Sequence, residues 1–291
     1  LLMRASMSLG DGAVHIFAPC WRLLPPCAKI VASLPDKMAM TDTILYRCNG
    51  AVSSILLNNP IRHNALGRQQ LEVIRAHLNR VAADRQVRAL VITGVGEKTF
   101  CAGAALDELS AGQIGDDLFQ KMTAQLAVLP IPTICAMNGD VFGGGVELAV
   151  SCDFRIGVYG SRMRVPAAEL GLCYPLSGIS RLVECLGVGA TKRILVAAEE
   201  FDAPGMMRIG FLDHLVEPQA LDEFTLSFAQ RIAALAPMAV KAMKSILSQA
   251  ASGTVDADEA RRLMSMCLES TDLQEGFAAK REKRAPLFEG R

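Results

Sequence analysis

A run of glycines followed by a glutamate is the stretch of this sequence best suited to chemistry. Gly143, Gly144 and Gly145 follow a strand-like apolar segment. A helical pattern begins at Val146, and Glu147 lies in its first turn. Glycine lets a backbone turn with positive φ and lets a ligand approach closely. Backbone N–H groups at a helix N-terminus lack intrahelical acceptors, so they can hold a partial negative charge. The run therefore predicts an oxyanion hole beside a general acid/base.

Two other interpretations of this turn stay open when it is taken alone. A glycine-rich turn between a strand and a helix can bind phosphate. This one, however, has neither Gly-x-Gly-x-x-Gly spacing nor a Gly-Lys-Ser/Thr ending. It can also be a tight structural turn, in which Glu147 only complements the helix dipole. The choice among these interpretations depends on the rest of the chain.

A second turn of small residues follows the strand predicted at residues 88–93. It contains Gly103, Ala104 and Ala105, which would let another backbone N–H group approach a ligand. Two such turns after neighbouring strands would supply two converging donors, which is what an oxyanion needs. The alternative interpretation of this segment is an ordinary loop of small residues.

Strand and helix patterns alternate from residue 44 to about residue 158, which predicts an α/β layer architecture. Asn49-Gly50 is a strong hairpin signal between the first two strands. From residue 191 onward the pattern is almost entirely helical. The elements that the patterns predict are strands at 44–48, 52–57, 88–93 and 131–137 and helices at 67–83 and 114–128.

The composition is that of a globular protein long enough to bury a substantial core. Of its 291 residues, 51% are hydrophobic and 21% are charged, and 30 basic residues balance 30 acidic ones. This balance argues against nucleic acid or an anionic membrane as the main partner. The nine cysteines form no Cys-x-x-Cys pair and the four histidines are dispersed, so we expect reduced thiols and no metal site. Reduced thiols indicate the cytoplasm, or alternatively the mitochondrial matrix.

Residues 1–40 differ from those that follow, with several prolines, the only tryptophan and little periodicity. Gly, Asp and Pro break their apolar runs, which argues against a signal peptide and a membrane span. A weak organelle-targeting segment and a non-native upstream extension both remain open, and Asp11 and Asp36 favour the extension. We therefore predict three regions: an unstructured or non-native extension at 1–40, a core that carries the site at 41–190, and a helical region at 191–291.

Motifs spread from about residue 44 to the C-terminus occur in a familiar order. They are Asn59-Pro60 through Asn64-Ala65-Leu66, Phe100-Cys-Ala-Gly-Ala-Ala-Leu, Asn138-Gly-Asp-Val-Phe-Gly-Gly-Gly-Val-Glu-Leu and Lys283-Arg-Ala-Pro-Leu-Phe. Together they resemble the enoyl-CoA hydratase/isomerase (crotonase) superfamily. The resemblance implies an α/β fold built as a spiral of ββα units. It also implies a C-terminal helical region that assembles homotrimers, often paired as hexamers.

The same resemblance implies that the substrate is an acyl-CoA thioester, whose carbonyl oxygen gains charge as an enolate forms. By this resemblance the N–H groups of Ala104 and Gly144 hold that oxygen, and Glu147 matches the first catalytic glutamate of the hydratases. No cofactor is implied beyond the coenzyme A of the substrate. The substrate-binding positions that carry over are Arg62, Ala65, Gly103, Gly143 and Lys283. Tyr174 stands where the family often has Pro-Gly followed by further glycines, and it is either a polar group at the acyl pocket that contacts substrate or a packing residue.

The sequence departs from the superfamily at the second catalytic glutamate. Hydratases carry it directly after the proline that aligns with Pro166, where this chain has Ala167. Glu169 lies two residues further on, either as a displaced acid or as a structural carboxylate. Ala105 replaces the usual aspartate after the first oxyanion donor. The functions left open are hydration of a 2-enoyl-CoA, isomerisation or decarboxylation of a thioester, and acyl-CoA binding without catalysis.

Overall fold

A computed structural model of the chain describes residues 42–114 and 117–291. The predictions for residues 1–40 lie outside the described residues. Within these ranges, no helix combines the length and the apolarity that a membrane crossing requires. The strands are β1 (Ile44–Asn49), β2 (Val52–Leu57), β3 (Ala89–Gly94), β4 (Thr99–Cys101), β5 (Thr133–Met137), β6 (Asp140–Phe142), β7 (Phe154–Val158), β8 (Arg162–Arg164), β9 (Phe201–Asp202) and β10 (His214–Val216).

The helices begin and end close to the predicted bounds where the apolar periodicity is strong. The helix at Arg68–Ala83 buries the four apolar residues that define its pattern, Leu71, Ile74, Leu78 and Val81. The helix predicted at 114–128 begins at Leu118, because Asp117 has a non-helical φ of −127°. The helix at Leu176–Leu195 is interrupted at Gly187, whose φ is +74°. The helices are α1 (Arg68–Ala83), α2 (Leu106–Ser110), α3 (Leu118–Ala127), α4 (Gly144–Val150), α5 (Leu176–Leu195), α6 (Ala203–Arg208), α7 (Leu221–Ala233), α8 (Pro237–Ala251), α9 (Ala257–Leu268) and α10 (Thr271–Glu282).

The strands form two sheets, and a repeating unit of the chain links one sheet to the other. The larger sheet has the order β1-β2-β3-β5-β7-β10 and the smaller one the order β4-β6-β8-β9. The hairpin of β1 and β2 is antiparallel, as predicted, and the larger sheet is parallel from β2 onward. Each of β3, β5 and β7 leads into a short strand of the smaller sheet and then into a helix. This repeat confirms the predicted spiral of ββα units.

Apolar side chains cover both faces of the larger sheet. In β3, Leu90 and Ile92 belong to the core on the side of α1 and α3, whereas Ala89 and Val91 face α7. A parallel strand that is buried on both faces has a continuous apolar run instead of alternation. This burial explains why residues 88–93 indicate a buried strand from sequence alone.

The chain after residue 191 contains two strands that its helical pattern does not predict. Strand β9 pairs with β8 and β10 pairs with β7, in the two different sheets. Their lengths of two and three residues are too short to show alternation. Helix α8 is tied to the core by Lys244, whose Nζ lies 2.6 Å from Asp153 Oδ2. The boundary between a core at 41–190 and a helical region at 191–291 stays a prediction.

Candidate active site

Two backbone turns meet where β4 and β6 end. Gly103 lies after β4, and Gly144 lies after β6 as the first residue of α4. The two strands are parallel neighbours in the smaller sheet, so their carboxyl ends lie at one edge. A Cβ built on Gly103 would lie 2.4 Å from the Gly144 nitrogen. The turns therefore pack backbone against backbone, which requires glycine at position 103.

The N–H groups of Ala104 and Gly144 are unused donors at this edge. Leu66 pairs with Ala104 through a parallel bridge. In that bridge the Leu66 N–H donates to Gly103 O at 2.8 Å, and Leu66 O accepts from the Ala105 N–H at 3.0 Å. Gly144 begins a helix, where N–H groups have no intrahelical acceptor. Neither the Ala104 nor the Gly144 N–H has an acceptor among residues 42–114 and 117–291.

Two asparagines of the family-like motifs brace the loops that carry this edge. Asn64 Nδ2 donates to the carbonyl oxygens of Val95 and Thr99 at 3.1 and 2.8 Å. Asn138 Oδ1 accepts from the Gly94 N–H at 3.0 Å. Buried backbone groups that lie outside strands and helices need such partners. These asparagines therefore hold the loops that lead into the turns.

Glu147 lies beneath the turn, in α4, and is 1% exposed. Its Oε1 accepts from Thr123 Oγ1 at 2.9 Å and from Arg181 Nη1 at 3.2 Å. Arg181 Nη1 also donates to Thr123 Oγ1 at 3.0 Å. One carboxylate oxygen is thus held by side chains from α3 and α5, which fixes the direction of the carboxylate.

Small residues on α4 and α5 let two aromatic rings approach the site. A Cβ on Gly178 would lie 2.9 Å from Glu147 Oε2 and 2.5 Å from Cε1 of Tyr174. A Cβ on Gly144 would lie 2.7 Å from Cζ of Phe119. Tyr174 and Phe119 therefore form walls beside the carboxylate and the donor turn.

Burial raises the pKa of Glu147 above its ordinary value, and the Thr123 hydrogen bond and the Arg181 charge oppose this rise. Desolvation disfavours the charged form, whereas an opposite charge and a donated hydrogen bond favour it. Desolvation is the larger effect here. A raised pKa brings the carboxyl group closer to the pH at which it can both accept and donate a proton. This property suits Glu147 for acid/base chemistry.

The positions named for a second acid do not supply one. Ala167 is 7% exposed and has no ionisable group. Glu169 is exposed and forms an ion pair with Arg164. Its carboxylate therefore lies in a surface ion pair, as in the structural alternative, and Glu147 has no carboxylate partner from this segment.

Arg62 and Ala65 lie near the first donor turn. Arg62 is half-exposed, and its Nη2 lies 2.7 Å from Oδ1 of Asp107, a residue in the first turn of α2. The Ala65 N–H donates to Arg62 O at 3.0 Å, and the next residue, Leu66, is the one that bridges to Ala104. Both residues thus lie on the loop that supports the Ala104 donor, with the Arg62 guanidinium at its exposed side.

Lys283 follows α10 and is exposed. The segment after it is held at the start of β3, where Arg88 Nη2 donates to Phe288 O at 2.7 Å. The donor turns are braced at the other end of β3, through Gly94. Among the contacts of the described residues, none joins Lys283 to the loop of Arg62.

Three residues of the site are not indicated by the sequence alone. Thr123 is a polar residue on the buried face of α3, between Phe119 and Leu126, and that exception to an apolar face is a usable signal. Arg181 and Gly178 lie one turn apart on α5. Only tertiary packing shows that they meet Glu147, because no sequence spacing connects α4 with α5.

Replacing Arg181 with methionine is expected to change the pH dependence of kcat/KM, moving the acidic limb of the pH profile to higher pH. Arg181 lowers the pKa of Glu147, so its removal leaves desolvation less opposed. Loss of a charged hydrogen bond also predicts about a tenfold or larger fall in kcat/KM at neutral pH. Arg193→Met, which breaks a surface pair with Glu199, is the matched control. An unchanged acidic limb in Arg181→Met would contradict this electrostatic role.

A ββα spiral with two unused donors above a buried glutamate defines the class of fold and site that the motifs indicate. Residues 47–291 match the family model described as Enoyl-CoA hydratase/isomerase. The chain belongs to this family of enzymes.

Relatives span most of the chain. Enoyl-CoA hydratase domain-containing protein 2, mitochondrial, of Mus musculus is 33% identical over 256 residues, which cover 84% of this chain and 86% of that protein. Short-chain-enoyl-CoA hydratase of Clostridium acetobutylicum is 31% identical over 258 residues, covering 85% and 97%. The crystal structure of an enoyl-CoA hydratase from Bacillus anthracis has a TM-score of 0.78 and 28% identity, and covers 86% of this chain and 100% of that one.

Proposed function

We propose that this protein is an enoyl-CoA hydratase, which adds water to a 2-enoyl-CoA to give a 3-hydroxyacyl-CoA. One observation carries the proposal: the buried Glu147 lies in the same short helix whose first N–H group, that of Gly144, is an unused donor. The site thus places an anion-binding group within one helical turn of a proton-transfer group. Relatives named as hydratases support this choice of reaction.

In the proposed reaction, the Ala104 and Gly144 N–H groups bind the thioester carbonyl oxygen. Water attacks Cβ of the enoyl group while Glu147 accepts its proton, and the electron pair of the double bond moves through Cα onto the carbonyl oxygen. The charge on this oxygen is largest in the enolate, so fixed N–H dipoles stabilise the transition state more than the substrate. Glu147 then returns a proton to Cα, and the carbonyl re-forms.

Water supplies the electron pair of the new C–O bond and the scheme has no net oxidation or reduction, so the proposed reaction needs no cofactor besides the coenzyme A that the substrate carries. Arg62 is the proposed contact for its phosphates in the same chain, because the guanidinium lies half-exposed on the loop beside Ala104. Lys283 is proposed to reach the phosphates of a substrate held by a neighbouring copy of the chain.

Isomerisation or decarboxylation of a thioester is the second candidate. Ala167 favours decarboxylation within this candidate, because the position that supplies the second acid of hydratases in the superfamily also supplies the single acid of many isomerases. Decarboxylation of a malonyl-type thioester produces the same enolate by loss of carbon dioxide, without a base. The oxyanion hole would serve either reaction equally well.

We propose a homotrimer or a hexamer as the assembly. The C-terminal helices expose several large apolar side chains, and such a face is typical of a surface that a partner covers. The exposed apolar residues are Met243, Leu247, Met264, Leu268 and Phe277.

Cytoplasm is the proposed compartment, with the mitochondrial matrix as the alternative, since relatives include both bacterial and mitochondrial proteins.

The test is incubation of the purified protein with crotonyl-CoA, a 3-enoyl-CoA and a malonyl-type thioester, followed by mass spectrometry. We expect crotonyl-CoA to gain the mass of water. Isomerisation leaves the mass unchanged, so the 3-enoyl reaction is followed by chromatographic separation of the isomers. Loss of carbon dioxide without hydration would support the second candidate. Binding of every thioester without a product would indicate a non-catalytic acyl-CoA-binding protein.

A further inference from the structure

The Tyr174 hydroxyl contacts the peptide group that carries one of the two donors. Tyr174 Oη donates to the carbonyl oxygen of Gly143 at 3.1 Å. That carbonyl and the Gly144 N–H belong to the same planar peptide group, and no cis peptide occurs among the residues described. In a trans peptide the C=O and N–H bonds point in opposite directions. The hydroxyl therefore lies at the far end of the Gly144 donor dipole.

This peptide is fixed from several sides. The Gly143 carbonyl also accepts from the Val146 N–H at 3.1 Å. The Gly143 N–H donates to Arg164 O at 3.0 Å, and Gly143 has φ +50°, a left-handed value. Two donors on one carbonyl and a restrained backbone leave the Gly144 N–H a single direction, toward the edge where the Ala104 N–H is also unused.

The Tyr174 hydroxyl keeps its proton. Burial raises the pKa of Tyr174 well above its ordinary value, and the negative charge of Glu147 acts in the same direction. A phenol that stays protonated donates its hydrogen bond to the Gly143 carbonyl over the whole working pH range. The hydroxyl is thus engaged with backbone and is not available as a polar contact for the acyl chain.

A hydrogen bond to a peptide carbonyl changes the N–H on the other side of the same peptide. It draws electron density toward oxygen, so the nitrogen becomes more positive and its N–H a stronger donor. Chains of hydrogen bonds polarise one another in this way, and each link is stronger where water is excluded. In this site the chain of hydrogen bonds would run from the Tyr174 hydroxyl, through the Gly143–Gly144 peptide, to the thioester oxygen.

We propose that Tyr174 is a positioning residue that orients and polarises the Gly144 N–H and thereby strengthens the oxyanion hole. The inference rests on the proposed function, because it concerns the same thioester oxygen. Tyr174 touches no reacting atom in this scheme, since its hydroxyl is on the opposite side of the peptide. Its effect falls on the enolate, in which the oxygen carries the most charge.

Tyr174→Phe is the first test, because it keeps the ring against Gly178 and removes only the hydroxyl. The probe is 4-(dimethylamino)cinnamoyl-CoA, whose absorption band moves to longer wavelength when its carbonyl oxygen is polarised. We expect the variant to bind the probe with a smaller shift of the band than the wild-type protein. With crotonyl-CoA we expect kcat to fall about three- to tenfold, the size of one neutral hydrogen bond, with KM nearly unchanged.

Tyr159→Phe is the matched control, since Tyr159 is 48% exposed and its change also removes one phenol hydroxyl. A second variant changes the hydrogen bond in the opposite direction. Site-specific 3-fluorotyrosine at position 174 has a more acidic phenol and is a better donor, so the band should move further than in the wild type. This variant decides the test if Tyr174→Phe fails to fold.

Failure of the role of Tyr174 and failure of the proposed oxyanion hole give different results in these experiments. If the wild-type protein shifts the probe band and both Tyr174→Phe and the fluorotyrosine protein give the same shift, the role of Tyr174 is overturned. The oxyanion hole is then still supported. A wild-type protein that binds the probe without any shift overturns the oxyanion hole, and the role of Tyr174 falls with it. Opposite changes in the two variants support the inference.

Discussion

Glu147→Gln is expected to remove nearly all hydration activity while leaving thioester binding within a few-fold of the wild type. Glutamine has the shape of glutamate, and its amide oxygen can still accept from Thr123 and Arg181. It cannot accept a proton from water or return one to carbon. General acid/base groups contribute about 100- to 10,000-fold to rate, so we expect a loss in this range. The measurements are kcat with crotonyl-CoA and calorimetric titration with a saturated acyl-CoA.

Glu169→Gln is the matched control for this experiment. It makes the same chemical change at a nearby carboxylate whose only observed role is the surface ion pair with Arg164. We expect it to leave kcat close to the wild-type value, because exposed ion pairs contribute little to stability. Full activity in Glu147→Gln would remove this residue from the mechanism. A large loss of kcat in Glu169→Gln would support the alternative that Glu169 is a displaced catalytic acid.

Gly103→Ala is expected to lower kcat about 100- to 1,000-fold, the effect of losing one oxyanion donor. The added methyl group would lie 2.4 Å from the Gly144 nitrogen, so the donor turn must move away from β4. Gly144 itself is a less direct site for this test, because its Cβ would meet the Phe119 ring. Hydration kinetics and the absorption shift of the cinnamoyl probe measure the same donor independently.

The strain of a left-handed residue has to be separated from the loss of the donor. Gly103 has φ +85° and Gly160 has φ +84°, but a Cβ at position 160 would have no neighbour within 4 Å. Gly160→Ala therefore imposes the same backbone strain without crowding the site. We expect both variants to lose some thermal stability and only Gly103→Ala to lose activity. A folded Gly103→Ala protein with wild-type kcat would contradict the assignment of the donors.

The sequence is sufficient to predict the two glycine turns that meet at the candidate site. Glycines at 103 and 143–145 are positions where a side chain would collide or where φ is positive, and such constraints are visible as residue types. Strand and helix patterns then place both turns after neighbouring strands. The fold class follows from the same alternation, and the buried strand β3 from its continuous apolar run.

The side-chain part of the site depends on packing that no local pattern records. Thr123, Glu147 and Arg181 come from three helices, and their meeting depends on how α3 and α5 cross α4. Tyr174 illustrates the same limit. The sequence leaves Tyr174 open between a polar group at the acyl pocket and a packing residue, and it does not indicate that the hydroxyl donates to the Gly143 carbonyl. The direction of a side chain at a loop position follows from tertiary contacts, which spacing in the sequence does not specify.

The three-helix origin of the Glu147 cluster makes catalysis sensitive to local unfolding. Helix α4 has only seven residues, and helices of that length are not stable in isolation. The carboxylate keeps its orientation only while α3 and α5 both remain docked. Segments of a folded protein can open locally at a free-energy cost below that of global unfolding. Heat or denaturant should therefore inactivate the protein while most of its secondary structure is still intact.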